Sequence, residues 1–551
     1  MADSKAVNLG SNLWSPFKEL LRTVHAALSQ KLPDAFYELD AAIRKHKPDF
    51  ISLLQNPAKN AQHRLQIQKA DQTGLVIEGH PGTKTFPKQF IDEALIISDL
   101  FDLNEYAAVE LLLSGDQQQP HFPGLTRGLV AVLLYYDGRR SIVNALQLLI
   151  QSRKGRTWTL ELEDEVSDLT TRFTDKLIKD GLMRKVLRLL LETDVEKQMD
   201  KLGQARALGD AKHRHEVMEM LKESRSSLAE CLFAWACQSA PSRQDTILLI
   251  THLRQHASLE GDGTMDNVTL ALLMTCLYCL DVGGAVESCP EDRDEMTKQL
   301  PVLRDARFLP ELHQLIVKDE TAWACPGIAA VLRFAWALML RNVAQQPELE
   351  AMQDYIEEDE MIVDDAMKDN VFRFLKDAVV TSKNFHQSEF CPRRLHNLLT
   401  DFIVQMPLKV KEMRNRGDEA GRIIMAHERE GVEPPSTLPR HFQDFMKLLG
   451  AFYGNDPLGL ELPLEYWCTT DPSSSPSASA TYVSHPYQRQ SPRQASLFKF
   501  IRMAGDLLPP SLYVSYIDML SGLANGEESS RHCFNLLKMN GMGSGKTIAR
   551  C

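Results

Sequence analysis

The stretch FIDEALIISDLFDL, Phe90 to Leu103, decides the fold class. Phe90, Ala94, Ile97 and Phe101 recur at spacings of four, three and four, which places them on one stripe of an α-helix with acidic residues outside it. Such a face has to be covered by another helix. Working outward, the same texture predicts helices at Pro16 to Ala27, Arg127 to Tyr136, Ile142 to Gln151, Asp175 to Leu191, His213 to Cys237 and Val268 to Leu280. It continues at Asn370 to Val380, Leu395 to Arg414, His441 to Tyr453, Leu497 to Leu507 and Leu512 to Leu523.

Two helix starts are well marked. Ser242 followed by Asp245 reads as a cap before ILLITHL, and Pro326 opens GIAAVLRFAWALML at the position where a missing amide hydrogen matters least. The segment from Pro326 to about Leu340 is apolar nearly all round, with Arg333 the interruption, which suits an inner helix enclosed by neighbours. Strand signals are short: Gly74 to Glu78 (GLVIE) and Thr157 to Leu162 (TWTLEL) suffice for a local hairpin. No heptads persist and no fixed-period consensus recurs, so the expected fold is all-α, an irregular α-solenoid of HEAT/armadillo-like repeats with at most one or two short β segments.

The chain has 551 residues, 44% hydrophobic and 25% charged, with a formal net charge of -12. A net acidic chain without a dense Lys/Arg face disfavours a phosphate-backbone binder. Apolar runs such as Leu270 to Leu280 fall short of a bilayer span, and MADSKAVNLGSNLW lacks the layout of a signal peptide, so a cytosolic or nuclear location is expected.

Three segments interrupt the helices. Gly115 to Gly128 is a turn-rich connector. Asp354 to Asp369 (DYIEEDEMIVDDAMKD) concentrates negative charge, as a solvated face or as a docking site for a basic peptide. Asp471 to Pro492 is Ser/Pro-rich and is expected to be a mobile loop, spanning 471–493, that projects from a single helical domain at 1–540.

Motifs for chemistry fail on context. GMGSGKT, Gly541 to Thr547, has Asn540 where a phosphate-binding loop needs its first glycine, and FNLLK before it is helical rather than a strand. His252 and His256 have the spacing of a zinc-protease helix, but Leu253 stands where the catalytic Glu belongs. His213 and His215 flank Arg214 in a charged helix and are expected to be exposed. Cys276 and Cys279 form a lone CxxC inside an apolar run, where buried free thiols are the ordinary outcome. No metal, cofactor or catalytic residue is expected.

Aromatic residues near the breaks carry the binding expectation. Trp158 lies in GRTWTLEL, and Tyr466 and Trp467 precede the Ser/Pro stretch. Large aromatics usually plug junctions between helix pairs; the sharper reading makes them groove anchors for linear segments. The candidate groove comprises Trp467, Tyr466 and the helix carrying Leu408 and Val410.

HKPDFISL (from His46), AAVELLLSG (from Ala107), QQPHFPGLTRGLVAVLLYYDG (from Gln118), GRTWTLEL (from Gly155), SLAECLFAWACQS (from Ser227) and MAGDLLPP (from Met503) are long, uncommon strings. They resemble the N-terminal region of the two-hundred-and-five-kilodalton family of inner-ring scaffold nucleoporins, from Trp14 to about Asn540. The resemblance implies an α-solenoid without enzymatic activity that builds the inner ring of the nuclear pore complex at the nuclear envelope. Implied partners are the small inner-ring nucleoporin with an RNA-recognition-motif fold, and the ninety-three-kilodalton linker nucleoporin, whose site is expected beyond this stretch. A transport-receptor-like module engaging cargo or FG repeats is the alternative. GMGSGKTIARC, residues 541–551, does not resemble the family's continuation and is expected to be a divergent, disordered tail. The chain is thus expected to be the first part of a longer solenoid, with Leu512 to Leu537 apolar enough to want another helix pair.

Overall fold

The structure is a computed structural model describing residues 13–29, 35–76, 83–154, 162–204, 206–239, 241–282, 300–344, 357–433, 435, 438–467 and 492–543. It divides into two compact units, Met1–Ser239 and Ala240–Cys551. Each is built of packed helices. The described strands are Leu75–Val76 and Thr83–Lys84, antiparallel with Leu75 opposite Lys84, so the fold is all-α as the helical periodicity requires. Of the two strand expectations, this hairpin realises the first, and 155–161 lies outside the described residues.

In the first unit the centre is the Arg127–Gln151 helix, which packs against Ser15–Leu28, Glu105–Gln118 and Arg214–Ala236. The sequence pattern predicts two helices here, Arg127 to Tyr136 and Ile142 to Gln151. They are one. A Cβ on Gly138 would lie 1.9 Å from the Leu13 carbonyl oxygen, so the glycine serves close approach of the chain entering Ser15–Leu28 rather than a turn. Asp137 beside it accepts hydrogen bonds from Trp14 Nε1 at 2.9 Å and from Lys18 Nζ at 2.5 Å. Phe90, Ala94, Ile97 and Phe101 are all buried along Lys88–Phe101, so the founding stripe is core.

Other boundaries move for equally local reasons. Asp175 to Leu191 divides into Asp164–Lys179 and Leu182–Glu192, because Gly181 adopts φ +88. Leu395 to Arg414 divides into Phe390–Gln405 and Pro407–Glu430, since Pro407 lacks the amide that would continue the ladder. The expected connector at Gly115 is helical through Gln118, with the turn confined to the residues before Arg127. His213 is buried, contrary to expectation, while His215 is exposed. Position 213 immediately precedes the Arg214–Ala236 helix, and its ring is covered where that helix enters the core.

In the second unit Pro326–Ala344 is the inner helix, enclosed by Asp359–Lys368, Phe390–Gln405 and Asn267–Cys279. Its length and composition alone would let it cross a membrane, but 78% of its apolar window is buried inside the protein, which identifies a core helix. Phe334, Phe372, Phe402 and Phe445 interlock beside it, with successive ring centroids 4.8 to 5.8 Å apart. Ser242 caps Arg243–His256 by accepting from the Asp245 amide. Cys276 and Cys279 are buried free thiols, the latter pushed up to about 12 by burial.

Within the described part of the acidic run, 357–369, Glu357 and Glu360 are exposed, while four other carboxylates are taken up by ion pairs. Glu358 pairs with Lys318 at 2.6 Å, Asp359 with Arg341 at 2.7 Å, Asp364 with Lys409 at 2.6 Å and Asp369 with Arg333 at 2.7 Å. The carboxylates bind Asp359–Lys368 to three neighbouring elements.

Candidate functional site

The expected groove residues sit on two elements: the Leu462–Tyr466 turn followed by Trp467, and the first turn of Pro407–Glu430. Their placement corrects the expectation of an accessible aromatic anchor. Tyr466 is 0% exposed, Trp467 2% and Val410 1%, while Leu408 is 77% exposed. The indole N–H of Trp467 donates to the Leu523 carbonyl at 2.9 Å, using one of the carbonyls left open at the end of Pro510–Leu523. Trp467 is therefore a plug between elements. Lys409, between Leu408 and Val410, turns inward to Asp364 and Glu412 and fixes that first turn, leaving Leu408 on the surface. Trp158 lies outside the described residues.

Around Tyr466 and Trp467 the structure assembles a polar cluster that the sequence did not announce. His396 Nδ1 meets the Tyr453 hydroxyl at 2.8 Å and His396 Nε2 meets Glu465 Oε2 at 2.6 Å. Tyr453 OH donates to Tyr466 OH at 3.2 Å. Arg493 donates to Asp401 Oδ1 at 2.8 Å, pairs with Glu465 Oε1 at 2.9 Å and reaches Thr400 Oγ1 at 2.5 Å. Burial pushes the Asp401 carboxyl up to about 6, against the pull of Arg493. Burial also pushes on Glu465, but its bonds to His396 and Arg493 prevail and hold it below the usual range. Burial raises both tyrosines.

A histidine between a carboxylate and a tyrosine has the composition of a general base. Here both ring nitrogens are committed to protein partners, and His396 is 5% exposed. The cluster acts as a clamp: it joins Phe390–Gln405, His441–Gly454 and the turn ending at Tyr466 to Pro492–Gly505. It thereby fixes the residues on either side of 468–491, which lie outside the described residues and hold most of the Ser/Pro stretch. One sequence signal was available: His396 and Thr400 stand four apart among the apolar positions Leu395, Leu398, Leu399 and Phe402. Buried polar groups at such positions need partners, but not which ones.

Two further motifs lie elsewhere in the second unit. Gly541 to Gly543 belong to the Glu527–Gly543 helix, and the remainder of GMGSGKT lies outside the described residues. The rings of His252 and His256 are 4.9 Å apart, yet among the described residues no group of three His, Cys, Asp or Glu side chains could hold a metal ion.

Comparison with known proteins adds what geometry cannot. Residues 14–550 match the family model of the nuclear pore complex scaffold, nucleoporins 186/192/205. The chain belongs to this family. The match includes residues 541–550, which the resemblance read from the sequence had set apart. The chain is 50% identical to the human nuclear pore complex protein Nup205 over 541 residues, covering 98% of this chain and 27% of that protein. It is 35% identical to the Drosophila melanogaster protein of the same name over 545 residues, covering 98% and 25%. The chain thus spans about a quarter of the length of these family members.

Proposed function

We propose that this chain is a structural segment of the inner ring of the nuclear pore complex, at the nuclear envelope. There it supports pore assembly and nucleocytoplasmic transport by holding linear segments of other nucleoporins. The observation that carries this reading is the family match across 14–550. The polar clusters agree with it, because their reactive groups are spent on joining helices rather than presented to a substrate. The role is accordingly non-enzymatic. The partner of this stretch is the small nucleoporin with an RNA-recognition-motif fold; the ninety-three-kilodalton linker nucleoporin is a partner of the longer scaffold, with its site expected beyond these residues.

Leu408 is the partner-facing residue of the candidate set, with Val410, Tyr466 and Trp467 supporting the framework around it. An exposed leucine on a turn fixed by buried ion pairs offers an apolar contact at little entropic cost. Co-purification with the small nucleoporin through extended washing tests the scaffold role, since a transport-receptor-like module exchanges its ligands quickly. Leu408→Asp is expected to reduce retention of the small nucleoporin roughly tenfold while the melting temperature stays unchanged. Undiminished retention removes Leu408 from the contact; failure of the unaltered chain to retain the small nucleoporin removes the scaffold role.

A further inference from the structure

An open groove of about 450 Å3 lies in the second unit, between the loop before Pro326–Ala344 and the Asp359–Lys368 helix. Pro326, Val317 and Trp323 give it apolar surface, with Ala329 and Ile362 buried beneath, and Glu320 and Asp365 line it as well. Its volume falls in the range of ligand clefts, enough for two or three side chains of an extended peptide.

The loop forming one wall is held in place before anything binds. Arg254 is 3% exposed, lies with its guanidinium 4.7 Å from the Trp323 ring centroid and pairs with Asp319. The Ala324 amide donates to the Arg254 carbonyl at 2.8 Å. Asp319 also accepts from the Thr321 amide at 2.9 Å and its hydroxyl at 2.6 Å. These hydrogen bonds and Arg254 hold the Asp319 carboxyl down to about 2. The half-buried indole is thus braced on one side and requires little ordering by a ligand.

The charges are not balanced. Asp319 is occupied by Arg254, and Arg333, the cation lining the groove, is occupied by Asp369 at 2.7 Å. Asp365 is partly answered by Lys368 at 2.8 Å. Glu320 is exposed and has no ion-pair partner among the described residues. The groove therefore combines an apolar lining, an indole and uncompensated carboxylate charge.

We propose that this groove binds an extended segment of another protein in which an arginine or lysine stands beside an aliphatic residue. The aliphatic side chain packs on Pro326, Val317 and the indole edge, and the cation is drawn to Glu320 and Asp365. The choice of a linear segment rests on the scaffold reading; the groove and its charge do not.

The test uses the full chain and a fluorescein-labelled dodecapeptide of alternating leucine, arginine and serine, read by fluorescence anisotropy. A matched peptide with glutamate for arginine is the control. Saturable binding of the arginine peptide is expected, weakening with added salt, with the glutamate peptide inert. Glu320→Lys, at an exposed position, is expected to weaken binding roughly tenfold, and Trp323→Ala by at least as much. Circular dichroism establishes that each variant is folded, and Glu320→Lys carries the test should Trp323→Ala unfold. No binding by the unaltered chain, equal binding of the glutamate peptide, or full binding by a folded Glu320→Lys overturns the proposal. A chain that retains its nucleoporin partner yet ignores the arginine peptide keeps the scaffold role and loses this groove.

Discussion

Gly450 and Gly522 meet backbone to backbone. A Cβ on Gly522 would lie 2.4 Å from the Gly450 carbonyl oxygen, and one on Gly450 would lie 2.7 Å from the Asp518 carbonyl oxygen. The helices His441–Gly454 and Pro510–Leu523 therefore pack with no side chain between them at this crossing. Their burial of Phe445, Leu449, Met519 and Leu523 depends on that approach.

Gly522→Ala is expected to destabilise the second unit despite the better helix propensity of alanine. Propensity favours the change by up to about 1 kcal/mol, but a methyl driven into backbone cannot be accommodated by a rotamer change, and overpacking costs about 1–3 kcal/mol. Gly454→Ala is the control, since its nearest neighbour is the Gly522 Cα at an ordinary 3.8 Å. Chemical denaturation should show a lowered midpoint for Gly522→Ala and almost none of that loss for Gly454→Ala. Equal midpoints would show that the helices can separate at no cost.

The clamp around Arg493 makes a second expectation. Arg493→Met leaves Asp401 and Glu465 without their cation, and breaking a buried pair from one side costs about 3–5 kcal/mol. The double change Arg493→Met with Asp401→Leu should cost less than Arg493→Met alone, because it also removes a buried carboxylate. A double-mutant cycle on thermal unfolding measures this. Strictly additive losses would mean that the two groups are not coupled.

His213 makes the first unit sensitive to acid. Burial holds its imidazole below the usual value, more than the nearby Asp210 and Glu216 restore. As pH falls below about 6.5, the unfolded chain binds a proton that the folded chain refuses, so stability present above that pH is lost. His213→Gln should lose less stability than the unaltered chain between about pH 7 and about pH 5, by urea denaturation at each pH. Histidines of the second unit that burial also lowers, the buried His313 and the half-buried His441, are unchanged in the variant, so the difference isolates His213. Parallel pH profiles would assign the acid sensitivity to other groups.

Residue order alone was enough to show that the chain is helical, that Lys88–Phe101 buries one stripe, that Pro326–Ala344 lies inside and that Ser242 caps its helix. Those properties are set within a few residues: side-chain periodicity fixes which face leaves water, and a cap satisfies amides one turn away. Periodicity says that a face is covered and is silent on what covers it. Trp14 meets Asp137 across 123 positions, and Arg493 meets Asp401 across 92. It took packing between distant segments to place Gly138 within a helix, to spend Glu358, Asp359, Asp364 and Asp369 on ion pairs and to make Trp467 a plug while Leu408 stays outside. Each of these outcomes depends on which distant side chain or carbonyl occupies the adjoining space, and packing of whole helices settles that.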